Sequence, residues 1–174
     1  IGKEAIDFER NILKESGGWQ DQIHAAYGGV NSIDFFNNDF SVKPIKLSKI
    51  SKEYLNSSMY LVYTGKTRKA SIVEKSKNNI TKDDYLRKMV EIAIEGEELL
   101  RKDKLDLKDI GKLLIEGWKL KKSLSASVTN LELDNLYETI IQSGVFGAKL
   151  CGAGGGGFFF VLSNQESIKK LKDT

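Results

Sequence analysis

Residues 149–162 read KLCGAGGGGFFFVL, which sets five glycines among six consecutive residues between two apolar segments. A flexible linker would have polar neighbours, whereas these flanks are typical of β-strands. Because glycine has no side chain, successive N–H groups of such a turn can converge on phosphate oxygens. The stretch predicts two strands joined by an anion-binding loop, formed by Gly152, Ala153, Gly154, Gly155, Gly156 and Gly157; a tight strand-to-strand connection is the alternative.

The flanks of this glycine loop exclude several common phosphate-binding motifs. Gly152, Gly154 and Gly157 have the spacing G-x-G-x-x-G, but a dinucleotide fingerprint requires a helix next, and Phe158–Leu162 predicts a strand. A Walker loop would need Gly-Lys-Ser/Thr, and a protein kinase would need a downstream Asp-Phe-Gly. Neither sequence follows the glycine loop here.

A second motif lies near the start, where Gly17-Gly18-Trp19-Gln20-Asp21-Gln22 leads into a short apolar-faced helix. A carboxylate is favoured at a helix N-terminus, so Asp21 has a structural interpretation. Its functional interpretation is a carboxylate that accepts a proton from a substrate hydroxyl, or aligns that hydroxyl, during phosphoryl transfer. His24, the one histidine, predicts a helix-surface or packing residue rather than a base.

Together these segments resemble the GHMP kinase superfamily, which is named for galactokinase, homoserine kinase, mevalonate kinase and phosphomevalonate kinase. The stretch from Lys149 to Phe158 resembles its third, glycine-rich motif, and Gly18 to Asn31 resembles its sugar-kinase segment. Residues 60–68, YLVYTGKTR, and 113–121, LLIEGWKLK, are similar to the sugar-phosphate branch, the D-glycero-D-manno-heptose 7-phosphate kinases.

This resemblance implies an ATP-dependent kinase that phosphorylates the anomeric hydroxyl of a heptose 7-phosphate. It implies that Asp21 is catalytic and that the glycine loop holds phosphates, with substrate contacts from Gly18, Gln22, Thr64, Gly65 and Arg68. In that family the active site lies between the two domains, so the resemblance also implies that Asp21 approaches the glycine loop. Arg68 could pair with the sugar phosphate or lie on the surface. Lys119, Lys121 and Lys122 are weaker phosphate candidates near a helix end, and Lys149 is left unassigned.

One family feature is missing from the sequence. These kinases carry a Pro-x-x-x-Gly-Leu-Gly-Ser-Ser-Ala loop around ATP, whose Ser and a nearby Glu ligate Mg²⁺, and no such stretch occurs here. We therefore expect the chain to be the second half of a kinase, inactive alone, with Mg²⁺ ligands in the other half. Another GHMP sugar kinase, of the fucose or galactose type, and a non-catalytic sugar-phosphate-binding module are the alternatives.

The fold class that the resemblance implies is α+β. Residues 51–174 are expected to form the ferredoxin-like C-terminal domain, and residues 1–50 the tail of a ribosomal-protein-S5-domain-2-like N-terminal domain. The helical spacing of Ile1, Ala5, Phe8 and Ile12 predicts an amphipathic helix over residues 1–15, with these four on its apolar face. Residues 30–47 predict a strand pair with a turn at residues 37–39. The polar segment 48–58 predicts the boundary, followed by a strand at residues 59–63 and a helix from about Arg68. Capping boxes predict later helix starts at Thr81, Thr129 and Ser163.

Composition limits the function classes. The net charge is +3, 40% of residues are hydrophobic and 29% are charged, which favours anionic small substrates over nucleic acid. No run is apolar enough to span a membrane, and the single cysteine, Cys151, favours a reducing compartment, so a cytoplasmic location is expected. No Cys/His cluster predicts a metal site, and the oligomeric state stays open.

Overall fold

A computed structural model describes residues 1–14, 18–66, 82–124, 126–152 and 154–174. The chain divides into two compact units, residues 1–46 and 47–174. The predicted helix near Arg68 and the predicted cap at Thr81 lie outside the described residues.

The first unit contains two helical segments and a β-hairpin. Helix α1 continues into a π-helical turn at residues 8–12, and α2 precedes the antiparallel pair β1–β2; their bounds are α1 Gly2–Asp7, α2 Gln20–Tyr27, β1 Asn31–Phe36 and β2 Asp39–Pro44. Asn37 and Asn38 adopt φ of +43° and +60°, as a two-residue hairpin turn requires. Ile6, Ile23 and Phe40 form the core of this unit.

The apolar stripe predicted for the first helix is wrong. Ile1, Phe8 and Ile12 are exposed, whereas Gly2 and Ile6 are buried. The reason is that Gly2 faces Ala26 and Tyr27 of α2, which turns the Ile6 side of the helix inward. The π-helical turn that begins at Phe8 then changes the helical periodicity, so the spacing of later residues no longer follows one face.

The second unit packs helices against a three-stranded antiparallel sheet of order β3-β5-β4. Its elements in chain order are α3 Lys49–Ser58, β3 Met59–Tyr63, α4 Lys82–Leu100, α5 Leu107–Leu124, a 3₁₀ turn Ala126–Val128, α6 Leu131–Gln142, β4 Gly147–Leu150, β5 Phe158–Leu162 and α7 Gln165–Lys172. This arrangement confirms the α+β class and the two strands predicted around the glycine loop.

The core of the second unit lies between the sheet and its helices. Trp118 of α5 and Tyr137 of α6 pack their rings against Phe159 of β5 at centroid distances of 6.1 and 5.8 Å. Helix α5 also approaches β4 where Gly111 meets Gly147, so closely that a Cβ atom on either glycine would overlap the other segment. Only glycine allows this separation between the helix and the strand.

Two predicted helix starts are corrected here, and the segment predicted to hold the boundary contains a helix. Within the polar segment 48–58 lies α3, whose N-cap Ser48 accepts a hydrogen bond from the Ser51 N–H at 3.1 Å. The caps predicted at Thr129 and Ser163 are instead Asn130 and Asn164, which accept from the N–H groups three residues later. Asparagine caps a helix as well as serine does, so the capping-box pattern placed both starts one residue early.

Candidate functional site

The glycine loop joins β4 to β5 and depends on conformations that other residues avoid. Gly152, Gly154, Gly155, Gly156 and Gly157 have φ of +64°, +105°, +78°, +152° and +100°. Residues with a Cβ atom are rarely stable there, because the side chain meets the following carbonyl. The run of glycines is therefore required by the path of the backbone.

The loop rests on the turn that precedes α6. The Gly155 N–H donates to the carbonyl oxygen of Val128 at 2.8 Å. A Cβ atom on Gly154 would lie 2.7 Å from that same oxygen and 2.9 Å from the Val128 Cα. The absence of a side chain at Gly154 is thus what lets the loop approach Val128.

Thr64 and Gly65, predicted from a distant part of the sequence, lie beside this loop. The Thr64 N–H donates to the Gly157 carbonyl at 2.9 Å, and the Thr64 hydroxyl lies 3.0 Å from the same oxygen. The Gly157 N–H in turn donates to the Lys66 carbonyl at 2.9 Å. The end of β3 and the glycine loop therefore form one hydrogen-bonded structure. Arg68 and Ala153 lie outside the described residues.

These contacts change the chemistry expected of the loop. Gly155 and Gly157 direct their N–H groups at protein carbonyls, so these two donors do not face an anion in this conformation. The N–H groups of Gly152 and Gly156 have no acceptor within the described part of the chain. The loop thus offers fewer converging donors than its sequence suggests, and positive side chains become more important for holding an anion.

Lys121, at the end of α5, contacts the loop directly. Its ammonium donates to the Gly152 carbonyl oxygen, and its side chain is half-buried. Burial lowers the pKa of Lys121, and the nearby charge of Lys149 lowers it further. Sequence alone does not separate Lys121 from Lys119 and Lys122. Its position three residues after the buried Trp118 places it on the same side of the helix as that core residue.

Other lysines near the loop are neutralised by acids. Lys122 lies 3.1 Å from Asp134 and covers the ring of Tyr137 at 5.5 Å, and Lys66 pairs with Glu132. Their charges therefore contribute to packing and to surface ion pairs. Lys119 is exposed on the same helix.

Asp21 lies in the first turn of α2, as predicted, with an exposed side chain. Ile23 anchors the helix, because its side chain is completely buried. The side-chain amide of Gln22 donates a hydrogen bond to the Glu9 carboxylate. Its buried side-chain oxygen accepts no hydrogen bond from the described residues. His24 is exposed, in agreement with the prediction of a surface histidine.

Gly18 lies at a concave surface of the first unit, with a volume of about 470 Å³. Trp19 and Gln20 line it from one side, and the hairpin turn at residues 36–39 lines it from the other. Gly18, Gln22 and Asp21 all belong to the first unit, whereas Thr64 and the glycine loop belong to the second. The approach of Asp21 to the loop, which the resemblance implies, stays a prediction.

A larger cavity, of about 900 Å³, lies elsewhere in the second unit. None of the predicted site residues lines it. Its walls come from the start of α3 and from the connection between α4 and α5, namely Ser48, Ile50, Ser51, Tyr54, Lys102, Asp103, Lys104, Leu105, Asp106, Lys108 and Asp109. Because lysines and aspartates alternate there, the cavity has no preference for one sign of charge.

Comparison with known proteins agrees with the motifs. Residues 97–174, which include α5, α6 and the whole glycine loop, match the family model described as GHMP kinases C terminal. This chain contains a GHMP kinase C-terminal domain. The family resemblance and the fold class predicted from the sequence are thereby confirmed.

The chain is similar to relatives along most of its length. It is 34% identical over 164 residues to a D-glycero-alpha-D-manno-heptose 7-phosphate kinase of Campylobacter jejuni, covering 92% of this chain and 48% of that protein. It is 30% identical over 171 residues to a bifunctional fucokinase/GDP-fucose pyrophosphorylase of Arabidopsis thaliana, covering 92% of this chain and 16% of that protein. The chain therefore spans about half the length of the Campylobacter kinase.

A solved structure gives the same result for the fold. The crystal structure of a D-glycero-D-manno-heptose 1-phosphate kinase from Bacteroides thetaiotaomicron superimposes with a TM-score of 0.71 at 26% identity. The match covers 99% of this chain and 48% of that structure. The fold similarity to this kinase structure thus includes both the GHMP domain and the residues before it.

The described residues contain no group of three or more His, Cys, Asp or Glu side chains that could hold a metal ion. Among the helices described, none combines the length and apolar composition needed to cross a bilayer.

Proposed function

We propose that this chain provides the catalytic carboxylate and the glycine loop of an ATP-dependent sugar-phosphate kinase, one that phosphorylates the anomeric hydroxyl of a heptose 7-phosphate. The main support is the 34% identity to the Campylobacter heptose 7-phosphate kinase across 92% of the chain. The hydrogen bonds that Thr64 and Lys66 make with the loop support the same proposal, since they join two segments that the resemblance assigns to substrate and phosphate binding.

In the proposed reaction, the sugar hydroxyl attacks the γ-phosphoryl group of ATP. Asp21 accepts the hydroxyl proton or aligns the hydroxyl for attack, and its exposed position in α2 leaves it accessible to a substrate. The glycine loop holds the phosphates close to the backbone, as the positive φ angles and the lack of side chains allow. Gly18, Gln22, Thr64, Gly65 and Arg68 are the proposed contacts to the sugar phosphate.

Both ATP and Mg²⁺ are implied by the family, and they fit this chain differently. The glycine loop and the ammonium of Lys121 at Gly152 suit a phosphate group. Magnesium neutralises phosphate charge in such reactions. The described residues offer no carboxylate cluster for it, so no step is assigned to the metal in this chain. We propose a cytoplasmic protein that uses ATP and a sugar phosphate rather than nucleic acid or membrane.

A related function has its own support. The similarity to the Arabidopsis bifunctional fucokinase favours a neutral sugar such as fucose as an alternative acceptor. A non-catalytic module that binds a sugar phosphate without turnover is the third possibility. Arg68 separates the first two, because a residue that pairs with the substrate's own phosphate affects only a phosphorylated acceptor.

The experiment uses the protein expressed from the full open reading frame that encodes this chain, assayed with ATP and a panel of heptose 7-phosphate, fucose and galactose. We expect turnover with the heptose phosphate, and an Arg68→Ala variant should raise KM for it by about tenfold to a hundredfold without changing KM for ATP. Preference for fucose would transfer the assignment to the alternative. Binding without turnover on every acceptor would identify the non-catalytic module. The 174-residue chain by itself should show no ATP-dependent turnover, since it lacks the ATP loop of the family.

A further inference from the structure

Lys121 and Lys149 lie near the Gly152 turn, where β4 passes into the glycine loop, and neither has an acidic partner in the part of the chain that the structure describes. Lys121 reaches it from the end of α5 and donates to the Gly152 carbonyl, and Lys149 precedes it by three residues at the exposed position of β4. Within the described residues, no carboxylate lies within ion-pair distance of either ammonium. The nearby Lys66 and Lys122 differ in this respect, because each has an acidic partner.

This arrangement is electrostatically unfavourable without a ligand. Lys121 is half-buried, and removal of water from an ammonium disfavours its charged form. The neighbouring charge of Lys149 has the same effect, and the two causes together lower the pKa of Lys121. A structural lysine at such a position would ordinarily be paired with an acid, as Lys122 is.

The geometry also leaves donors for an anion. An ammonium has three N–H donors, and the Gly152 carbonyl accepts one of those of Lys121. The Gly152 and Gly156 N–H groups have no acceptor among the residues described. A dianionic phosphoryl group at this turn would accept from the lysines and would offset the repulsion between them.

We propose that Lys121 and Lys149, together with the Gly152 turn, form a binding site for a phosphoryl group. The proposal rests on the proposed kinase function for the identity of that group, which is a terminal phosphate of the nucleotide or the phosphate carried by the sugar. Gly155 and Gly157 direct their N–H groups at protein carbonyls and so do not face the phosphoryl group. Two lysine side chains therefore provide the positive charge of the site. Lys121 has a second role, since its contact with the Gly152 carbonyl positions the loop.

The test measures anion binding to the 174-residue chain by calorimetry, with tripolyphosphate, ATP and glucose 6-phosphate as separate probes. Lys121→Met keeps the aliphatic stem and removes the charge, and Lys149→Met does the same on the exposed strand position. Each variant should weaken binding of at least one probe by about tenfold, as expected for loss of a charge-assisted contact. Lys119→Met removes an equal charge from the exposed side of α5 and should leave affinity close to that of the wild type. The probe most affected identifies the source of the phosphoryl group.

The site would be overturned if no probe bound measurably at millimolar concentration, or if both lysine variants kept the affinity of the wild type. It would also be overturned if Lys119→Met lost as much affinity as they do, because that would indicate a general effect of net charge. Circular dichroism checks each variant, and if Lys121→Met is unfolded, the comparison of Lys149→Met with Lys119→Met decides the question.

The site and the proposed function can fail separately. If the protein from the full open reading frame phosphorylates a sugar and Lys121→Met leaves kcat and both KM values unchanged, the site is wrong and the kinase assignment stands. If that protein phosphorylates none of the sugars while anion binding still depends on Lys121 and Lys149, the kinase assignment is wrong and the site stands.

Discussion

Replacement of Gly154 by alanine tests how the glycine loop is held. The new Cβ atom would lie 2.7 Å from the Val128 carbonyl oxygen, at a φ of +105° that alanine rarely adopts. Gly152→Ala is a matched control in the same loop, because it also has positive φ, +64°, but a Cβ atom there would meet nothing within 4 Å.

The expected costs follow from these surroundings. Positive φ costs alanine roughly 1–2 kcal/mol at either position, and the smaller entropy of the unfolded chain offsets about 0.4–1 kcal/mol of it. At Gly154, the overlap with Val128 adds about 1–3 kcal/mol and strains the Gly155–Val128 hydrogen bond, worth about 1 kcal/mol. We therefore expect a loss of about 3 kcal/mol for Gly154→Ala and about 1 kcal/mol for Gly152→Ala.

Urea unfolding followed by tryptophan fluorescence measures the difference. Trp118 is 1% exposed in the core of the second unit, and a Trp19→Phe background leaves it as the one tryptophan of the chain. Equal losses for the two alanine variants, or a smaller loss for Gly154→Ala, would refute the seating of the loop on Val128.

Three further predictions concern the second unit. Gly111→Ala should lower the free energy of unfolding by about 2–3 kcal/mol, because the new Cβ atom would overlap the Phe146 carbonyl. Its control on the same helix is Gly117→Ala, which has open space for a Cβ atom and should raise that free energy by about 0.5–1 kcal/mol. Equal effects of the two variants in urea unfolding would contradict the close approach of α5 to β4. Burial raises the pKa of Tyr137 to about 12 from an ordinary value of 10.0, so wild-type stability should fall by up to about 2 kcal/mol as the pH rises through this interval. Tyr137→Phe should abolish that alkaline loss without destabilising at pH 7, because its buried hydroxyl has no partner among the described residues; a large loss at pH 7 would reveal one. Asn164→Ala should cost about 1 kcal/mol by removing the cap of α7, and an unchanged melting temperature would argue against the cap.

The parts of the fold that depend on local pattern could be predicted from the sequence. Two strands, Met59–Tyr63 and the aromatic and β-branched β5, each form where their composition indicated. The Asn37–Asn38 turn also follows from local chemistry, since asparagine tolerates positive φ. Such signals are contained within a few residues, so distant contacts do not alter them.

The wrong predictions depended on contacts between distant segments. The first helix buries Ile6 rather than Ile1 and Phe8, because Gly2 faces α2, and no periodicity within the helix encodes that neighbour. The polar composition of segment 48–58 predicted the boundary but not the helix within it, which Ser48 caps. Local composition does not reveal which polar segments have a buried face to pack.

The candidate site shows the same limit. Sequence motifs predicted both the glycine loop and Thr64 as site residues. They did not predict that the two are hydrogen-bonded to each other, because Thr64 and Gly157 lie 93 positions apart in the sequence. The N–H groups of Gly155 and Gly157 donate to the carbonyl oxygens of Val128 and Lys66. These hydrogen bonds could not be inferred from the sequence, because they depend on which carbonyl groups the fold brings near the loop. Lys121 differs from Lys119 only by the side of the helix that it occupies, and this becomes evident once Trp118 is known to be buried.

The central claim is that Asp21 performs proton transfer or alignment in a sugar-phosphate kinase. Its most direct test is kcat for heptose 7-phosphate in the protein from the full open reading frame, compared between wild type, Asp21→Asn and His24→Ala, which alters an exposed residue of the same helix. The account predicts a decrease of about a hundredfold or more for Asp21→Asn, with unchanged folding and near wild-type kcat for His24→Ala. A near wild-type kcat for Asp21→Asn would contradict it and would leave Asp21 as a residue that stabilises the start of α2.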